Sequence, residues 1–140
     1  MDARAAMETQ GAQGKARMEE IARAVFFAGL EVHRTLGPGM LESTYKQCMV
    51  HQLEQDGFSC RVEVALPIEY KGLFVADAYR IDILVADCFP IELKAVEAIH
   101  PRHRAQLLTY LKHGGFKLGF LINFNEKLFK DGVTRIANGL

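Results

Sequence analysis

The sequence predicts an α/β (α+β) fold in the order α-α-β-β-β-α-β, because the spacing of its apolar residues changes along the chain. Apolar residues recur with helical spacing up to about residue 57. Over residues 58–96 they alternate or run together, which is typical of strands. A helical stretch after residue 100 and one further apolar run then complete the order.

Two helices are predicted ahead of the strands. The first has an apolar stripe from Met18 to Leu36. Gly37-Pro38-Gly39 ends this helix, because proline lacks a backbone donor. Residues 1–17 carry little apolar material and are expected to form a flexible tail or a helix extension before one domain at 18–140. The second helix is expected from about Leu41 to Gly57, with inward-facing Leu41, Tyr45, Cys48, Met49 and Leu53.

An antiparallel meander is predicted next, with Lys71-Gly72 as its first turn. Pro101 opens a third helix, which Gly114-Gly115 ends. The segment after residue 124 is expected to form a short helix or an edge strand. The four predicted strands are 58–70, 73–86, 89–96 and 117–124.

Composition excludes several classes of protein. The 140 residues are 49% hydrophobic and 24% charged with a formal net charge of zero, so no global basic field attracts nucleic acid. No apolar run reaches the length of about 20 residues that a membrane helix needs, and no secretion signal is visible, so we expect a cytoplasmic protein without a membrane partner. The three widely spaced cysteines are expected to be reduced core residues, with a zinc site or a disulfide as the weaker alternative.

Charged side chains interrupt two of the apolar strands. Asp82 lies in Arg80-Ile81-Asp82-Ile83, and Glu92 and Lys94 lie in Ile91-Glu92-Leu93-Lys94. Ionised groups in buried strands are costly unless they are paired or hold a metal. Since strand side chains alternate between faces, Glu92 and Lys94 share one face. The pattern therefore predicts a cation and phosphate site.

This site has a direct use in phosphodiester chemistry. Mg²⁺ prefers oxygen ligands, and Asp82, Glu92 and the Leu93 carbonyl would supply them, with Mn²⁺ as a substitute. The cation would polarise the phosphate and activate water, while Lys94 orients the water or neutralises the phosphate. The alternative is a structural pair between Lys94 and a carboxylate on a half-buried face.

Three further residues are candidates for the same site. Gln106 and Tyr110 are separated by four residues and therefore share one helix face, where they would position substrate. Their alternative is a helix surface with a half-buried tyrosine. Glu42 would be a third carboxylate and metal ligand, or else a first-turn residue that stabilises its helix by about 0.3–1 kcal/mol.

A basic patch and one histidine remain. The patch surrounds the third helix and would contact a phosphate backbone, although a solvated helix face is the stronger interpretation. His33, at the end of the first helix, is expected to cap that helix rather than to act in catalysis. The patch consists of His100, Arg102, His103, Arg104, Lys112, His113 and Lys117.

These motifs together resemble the GxxExxY family within the PD-(D/E)XK nuclease superfamily. The naming signature is present as Gly39, Glu42 and Tyr45, and the strand motifs with Asp82 and with Glu92-Leu93-Lys94 follow at compatible spacing. The resemblance extends over residues 20–137. Other matching segments are Val32-His33, Leu36-Gly37-Pro38-Gly39, Pro67-Ile68-Glu69-Tyr70-Lys71-Gly72, Gln106-Leu107-Leu108-Thr109-Tyr110-Leu111 and Gly119-Phe120-Leu121-Ile122-Asn123-Phe124.

The resemblance implies a restriction-endonuclease-like core, α-β-β-β-α-β, with a central mixed sheet flanked by helices. It implies that Asp82, Glu92 and Lys94 occupy the catalytic positions and that Gln106 and Tyr110 match a Gln-xxx-Tyr element. One departure is that Ile81, rather than proline, precedes Asp82.

Two functions from different classes follow. The first is a Mg²⁺-dependent nuclease that cuts nucleic acid, which we expect to be DNA. The second is a catalytically silent module of the same fold that binds nucleic acid or a protein partner. The small size of the chain also leaves a homodimer open. A structural salt-bridge cluster is a third, weaker alternative.

Overall fold

The computed structural model describes residues 3–140, apart from the side chains of residues 6–10. Helix α1 spans Ala3–Leu36 and α2 spans Glu42–Gln55. The segment 1–17 was expected to be a tail or a helix extension; residues 3–17 are helical, and residues 1 and 2 lie outside the described part. The alanines of this segment favour helix, and its few apolar residues leave it mostly exposed.

Five strands form one mixed sheet in the order β1-β2-β3-β4-β5. The β3–β4 pair is parallel, and the other three neighbouring pairs are antiparallel. The predicted meander of the first three strands is confirmed. The strands are β1 (Cys60–Tyr70), β2 (Leu73–Val85), β3 (Phe89–Lys94), β4 (Leu118–Asn123) and β5 (Val133–Ala137).

Helix α3, at Pro101–Gly114, is the crossover between the two parallel strands. Pro101 occupies its first turn, and Gly115 ends it in the left-handed conformation with φ +73°. The chain after β4 forms a short 3₁₀ helix at Phe129–Gly132 and then the edge strand β5. The short helix and the edge strand that were expected as alternatives for this segment are therefore both present, one after the other. The predicted α/β fold with a mixed sheet flanked by helices is confirmed.

The two faces of the sheet pack against different helices. One face, with Ile83, Ile91 and Leu93, forms the main core with α1 and α2. The other face packs against α3 through Leu121, Leu107 and Leu111. In α2 the predicted inward residues Tyr45, Met49 and Leu53 are fully buried. Leu41 is 73% exposed, since it precedes the helix as its N-cap and points away from the core.

Two smaller expectations are also settled. Cys48, Cys60 and Cys88 are free and partly buried, in agreement with reduced cysteines at the edge of the core. His33 does not cap its helix. It is buried, and its Nε2 hydrogen-bonds to the Glu126 carbonyl at 2.7 Å, so it joins α1 to the segment after β4. No helix in the described part of the chain is long and apolar enough to cross a membrane.

Candidate active site

Asp82 and Glu92 meet where β2 separates from β3. Ile83 pairs with Ile91, so the next residues outward, Asp82 and Glu92, lie across from each other. At this point hydrogen bonds to side chains replace the backbone hydrogen bonds between β2 and β3. The Leu93 N–H donates to Asp82 Oδ2 at 2.8 Å, and the Asp82 N–H donates to Glu92 Oε1 at 3.3 Å. The two carboxyl groups therefore lie on the same side of the sheet, as strand alternation predicts.

Burial and mutual repulsion make this carboxyl pair hold a proton strongly. Burial, followed by the Asp82 charge, raises the pKa of Glu92 to about 8, and Glu92 is only 6% exposed. Burial also raises the pKa of Asp82, although the Leu93 hydrogen bond opposes this shift. Two adjacent carboxylates cannot both ionise without a nearby positive charge. The pair therefore favours either a shared proton or a cation.

Lys94 lies two residues beyond Glu92 on the same strand face and is half-buried. Its positive charge favours ionisation of both Asp82 and Glu92. Among residues 3–140 it forms no ion pair, so its ammonium group is available. Its backbone is fixed, because the Lys94 carbonyl accepts from the Phe124 N–H at 2.9 Å.

Glu42 approaches the pair from the first turn of α2. Burial, followed by the Asp82 charge, raises the pKa of Glu42, while the Lys94 charge lowers it, so this carboxylate lies in the field of both groups. Tyr45 fixes the entry to the helix. Its buried hydroxyl donates to the Gly37 carbonyl at 2.5 Å and accepts from the Met40 N–H at 3.0 Å. The Glu42 residue as a whole is exposed, so the desolvation of its carboxyl group is only partial.

Gln106 and Tyr110 form a hydrogen-bonded pair on α3. Gln106 Nε2 donates to the Tyr110 hydroxyl at 2.8 Å, so the hydroxyl retains its own proton for another acceptor. Burial, followed by the Glu92 charge, raises the pKa of Tyr110, which brings this ring into the field of the carboxyl pair. Tyr79 of β2 stacks on Tyr110 with ring centroids 4.6 Å apart and holds the ring in place.

Lys46 and Glu63 were not predicted from the sequence, and they border the site. Glu63 lies opposite Asp82 in the β1–β2 register and forms an ion pair with Lys46 of α2. The Glu63 charge contributes to the raised pKa of Asp82. Lys46 follows Glu42 by four residues, and this spacing on one helix face was the available signal. Glu63 has φ +50°, which no sequence pattern indicates for a glutamate within a strand.

Asn123 is a third residue whose role was not predicted from the sequence. It is fully buried at the end of β4, across from Lys94. Its Oδ1 accepts from the Val96 N–H at 3.1 Å and its Nδ2 donates to the Val96 carbonyl at 2.9 Å. These bonds fix the path of the chain as it leaves Lys94 toward α3. A buried amide that satisfies backbone groups in this way is a positioning residue.

The donor set is chemically suited to a hard divalent cation. Mg²⁺ is commonly held by one or two carboxylates and several waters, and the partly buried Asp82 and the buried Glu92 provide two carboxylates that repel each other. No three His, Cys, Asp or Glu side chains that the structure describes are grouped as a complete metal-ligand cluster. One oxygen of each carboxylate is bound to a backbone N–H. Glu42 and the Leu93 carbonyl remain predicted ligands.

Comparison with known protein families identifies the superfamily to which this chain belongs. A family model of the PD-(D/E)XK nuclease superfamily matches residues 19–136. The chain belongs to this superfamily. The match contains every predicted site residue, including Asp82 and the Glu92-Leu93-Lys94 motif. Neither a search of curated proteins nor a search of solved structures found a match.

Proposed function

We propose that this chain is a divalent-cation-dependent nuclease that hydrolyses phosphodiester bonds, with DNA as substrate and Mg²⁺ as cofactor. The observation that carries the proposal is the pair of carboxyl groups formed by the partly buried Asp82 and the buried Glu92, in the field of the Lys94 ammonium group, which forms no ion pair with a described residue. A bound cation supplies charge neutralisation at the scissile phosphate and lowers the pKa of a water molecule. Mn²⁺ is expected to replace Mg²⁺, since it also accepts oxygen ligands.

Each residue has a specific role in this proposal. Asp82 and Glu92 hold the cation, and Glu42 completes its ligand shell from α2. Lys94 donates hydrogen bonds to the attacking water or to the phosphate, where its positive charge offsets the charge that develops in the transition state. The Tyr110 hydroxyl donates to a phosphate oxygen, and Gln106 orients that hydroxyl through its own hydrogen bond.

We also propose that the chain is a member of the GxxExxY family. Three features support this narrower assignment. Gly39 has φ +100°, which glycine adopts without strain, Glu42 opens α2, and Tyr45 fixes the loop that joins the two helices. The three residues of the signature therefore act together to position Glu42 at the site.

The direct test is incubation of purified protein with labelled single-stranded and double-stranded DNA and RNA, in Mg²⁺, Mn²⁺ or EDTA. Cleavage is expected in the presence of metal and absent in EDTA. Asp82→Asn, Glu92→Gln and Lys94→Met should each abolish it. Glu69→Gln, on the exposed part of β1, is the matched control and should retain it. Wild-type cleavage by any of the three site variants would refute the assignment.

A second candidate is a non-catalytic module that binds nucleic acid or a protein partner. The lack of a complete three-residue ligand cluster among residues 3–140 favours it, as does the net charge of zero. Calorimetry with Mg²⁺ and Mn²⁺ separates the two functions. A folded protein with no measurable metal affinity would support the module, whereas binding that Glu92→Gln removes would support the enzyme.

A further inference from the structure

A cavity of about 360 Å³ lies beside Lys94, between the end of β3 and the first two turns of α3. Its lining residues are Lys94, Arg102, His103 and Gln106. The lining contains two permanent cations and no carboxylate. Lys94 and Gln106 also belong to the candidate active site, so the cavity is continuous with that site.

The cations of this cavity lack acidic partners. Neither Lys94 nor Arg102 forms an ion pair with any described residue, although the chain carries as many acidic as basic side chains. Five other basic residues in the described chain form ion pairs with carboxylates. These pairs are Arg17–Glu20, Arg34–Glu31, Lys46–Glu63, Arg61–Asp87 and Arg135–Glu19. Because neither cation of the cavity is held in an ion pair, both remain able to attract an anion.

His103 adds a fixed donor to the same cavity. Its Nδ1 accepts from the His100 N–H at 3.1 Å, so the neutral ring carries its proton on Nε2. The His100 ring accepts in turn from the Arg102 N–H at 3.1 Å, and these two bonds hold the segment rigidly. Burial, followed by the Lys94 charge, lowers the pKa of His103. The ring therefore acts as a neutral donor near pH 7.

We infer that this cavity is a phosphate subsite that binds a nucleic-acid phosphate next to the one that is cut. The inference rests on the proposed nuclease function, since it takes Lys94 to be at the scissile phosphate. Arg102 presents a planar fork of donors that suits two phosphate oxygens. His103 and Gln106 supply further N–H donors. A neutral protein thereby obtains local affinity for the nucleic-acid backbone without a global basic field.

The test measures binding in EDTA, where metal-dependent cleavage cannot occur. A fluorescent oligonucleotide is titrated with wild-type protein, Arg102→Gln, Arg102→Lys and the matched control Arg23→Gln. Arg23 is exposed on α1, outside the basic patch, and does not line the cavity. Arg102→Gln should weaken binding about tenfold and make the affinity less dependent on salt, by about the amount expected for one lost phosphate contact. Arg102→Lys should have an intermediate effect, and Arg23→Gln should change affinity less than twofold.

Oligonucleotides with a 5′-phosphate, a 3′-phosphate or hydroxyls at both ends identify the source of the bound group. A terminal phosphate that tightens wild-type binding, but not binding by Arg102→Gln, assigns the subsite to a strand end. Equal binding of all three assigns it to an internal phosphodiester. Thermal unfolding verifies that the variants are folded.

Equal affinities for Arg102→Gln and Arg23→Gln, or no binding by the wild type, would overturn the subsite. Failure of the proposed function is a different result, because it is a lack of cleavage in Mg²⁺ and Mn²⁺. A chain that binds through Arg102 without cutting would have a phosphate-binding cavity, but the nuclease assignment and the position of the cavity beside a scissile phosphate would be wrong.

Discussion

Asp82 and Glu92 each accept a hydrogen bond from the backbone of the opposite strand: the Asp82 carboxylate accepts from the Leu93 N–H, and Glu92 accepts from the Asp82 N–H. These two bonds lie where the β2–β3 backbone pairing would otherwise continue. Two acidic side chains therefore occupy a place in the sheet that backbone hydrogen bonds normally fill. They are held close together in spite of their like charge.

The first prediction concerns stability and pH in the absence of metal. Glu92 ionises near 4.5 in the unfolded chain and near 8 in the folded protein, so the folded state holds the extra proton between these values. The free energy of unfolding should therefore fall as pH rises from about 4.5 to 8. Urea unfolding in EDTA at pH 5, 6.5 and 8 measures this dependence. Glu92→Gln should flatten it, and an equally steep dependence in that variant would contradict the assignment.

The second prediction concerns the effect of a bound divalent cation on the stability of the folded protein. Above about pH 8, the pKa of Glu92, the carboxyl pair is mostly ionised, so Mg²⁺ or Mn²⁺ should stabilise the folded state by about 2.7 kcal/mol when its concentration is one hundred times Kd. The increase in Tm should be smaller at pH 5, where protons compete for the carboxylates. Differential scanning calorimetry measures both values. Asp82→Asn should lose the metal-dependent increase, and the exposed control Glu69→Gln should keep it.

The third prediction separates Tyr110 from its neighbour Tyr79. Tyr110→Phe removes the hydroxyl that Gln106 orients, so kcat should fall about tenfold because a substrate hydrogen bond is lost. Tyr79→Phe preserves the stacked pair and should leave kcat almost unchanged. Steady-state cleavage rates of the two variants provide the comparison. Equal losses in both would mean that the tyrosine pair has only a structural role.

The fourth prediction concerns the backbone at Glu63. A side chain at φ +50° is strained by about 1 kcal/mol, whereas glycine adopts this conformation freely. Glu63→Ala and Glu63→Gly both remove the ion pair with Lys46, so their difference isolates the strain. Glu63→Gly should be more stable than Glu63→Ala by about 1 kcal/mol, the reverse of the usual order in a strand. Chemical denaturation measures this difference, and the usual order would contradict the positive φ.

The fifth prediction concerns the entry to α2. Tyr45→Phe leaves the Gly37 carbonyl and the Met40 N–H without their hydroxyl partner and should cost about 1–3 kcal/mol of stability. The phenyl ring should retain its stacking on Phe124, so the core stays intact. Cleavage should weaken as Glu42 loses its fixed position. Thermal unfolding and cleavage rates test both effects, and a change in neither would exclude this role.

The faces of the central strands were predictable from the sequence because strand side chains alternate with a period of two. That rule alone places Glu92 and Lys94 on one face, and the observed register adds Asp82. The order of the elements was predictable for a similar reason, since Gly37-Pro38-Gly39 and Gly114-Gly115 end helices by backbone chemistry.

Other features depend on contacts between distant segments and have no local signal. The ion pair of Lys46 with Glu63 needs the β1–β2 register and a left-handed glutamate. The bond from His33 to Glu126 joins residues 93 positions apart, so a residue expected to be a helix cap is instead a tertiary contact. Leu41 shows why apolar spacing fails to predict burial at the end of a helix. It continues the apolar spacing of α2, but as the N-cap it lies outside the helix and is exposed to water.

The parallel pairing of β3 with β4 has a consequence for how the chain is made. Glu42, Asp82, Glu92, Lys94 and Tyr110 all leave the ribosome before the strand that flanks β3 on its second side. Asn123, which fixes the backbone beyond Lys94, emerges after all of them. A growing polypeptide therefore contains all of these side chains before β4 is present to hold β3 and Lys94 in place.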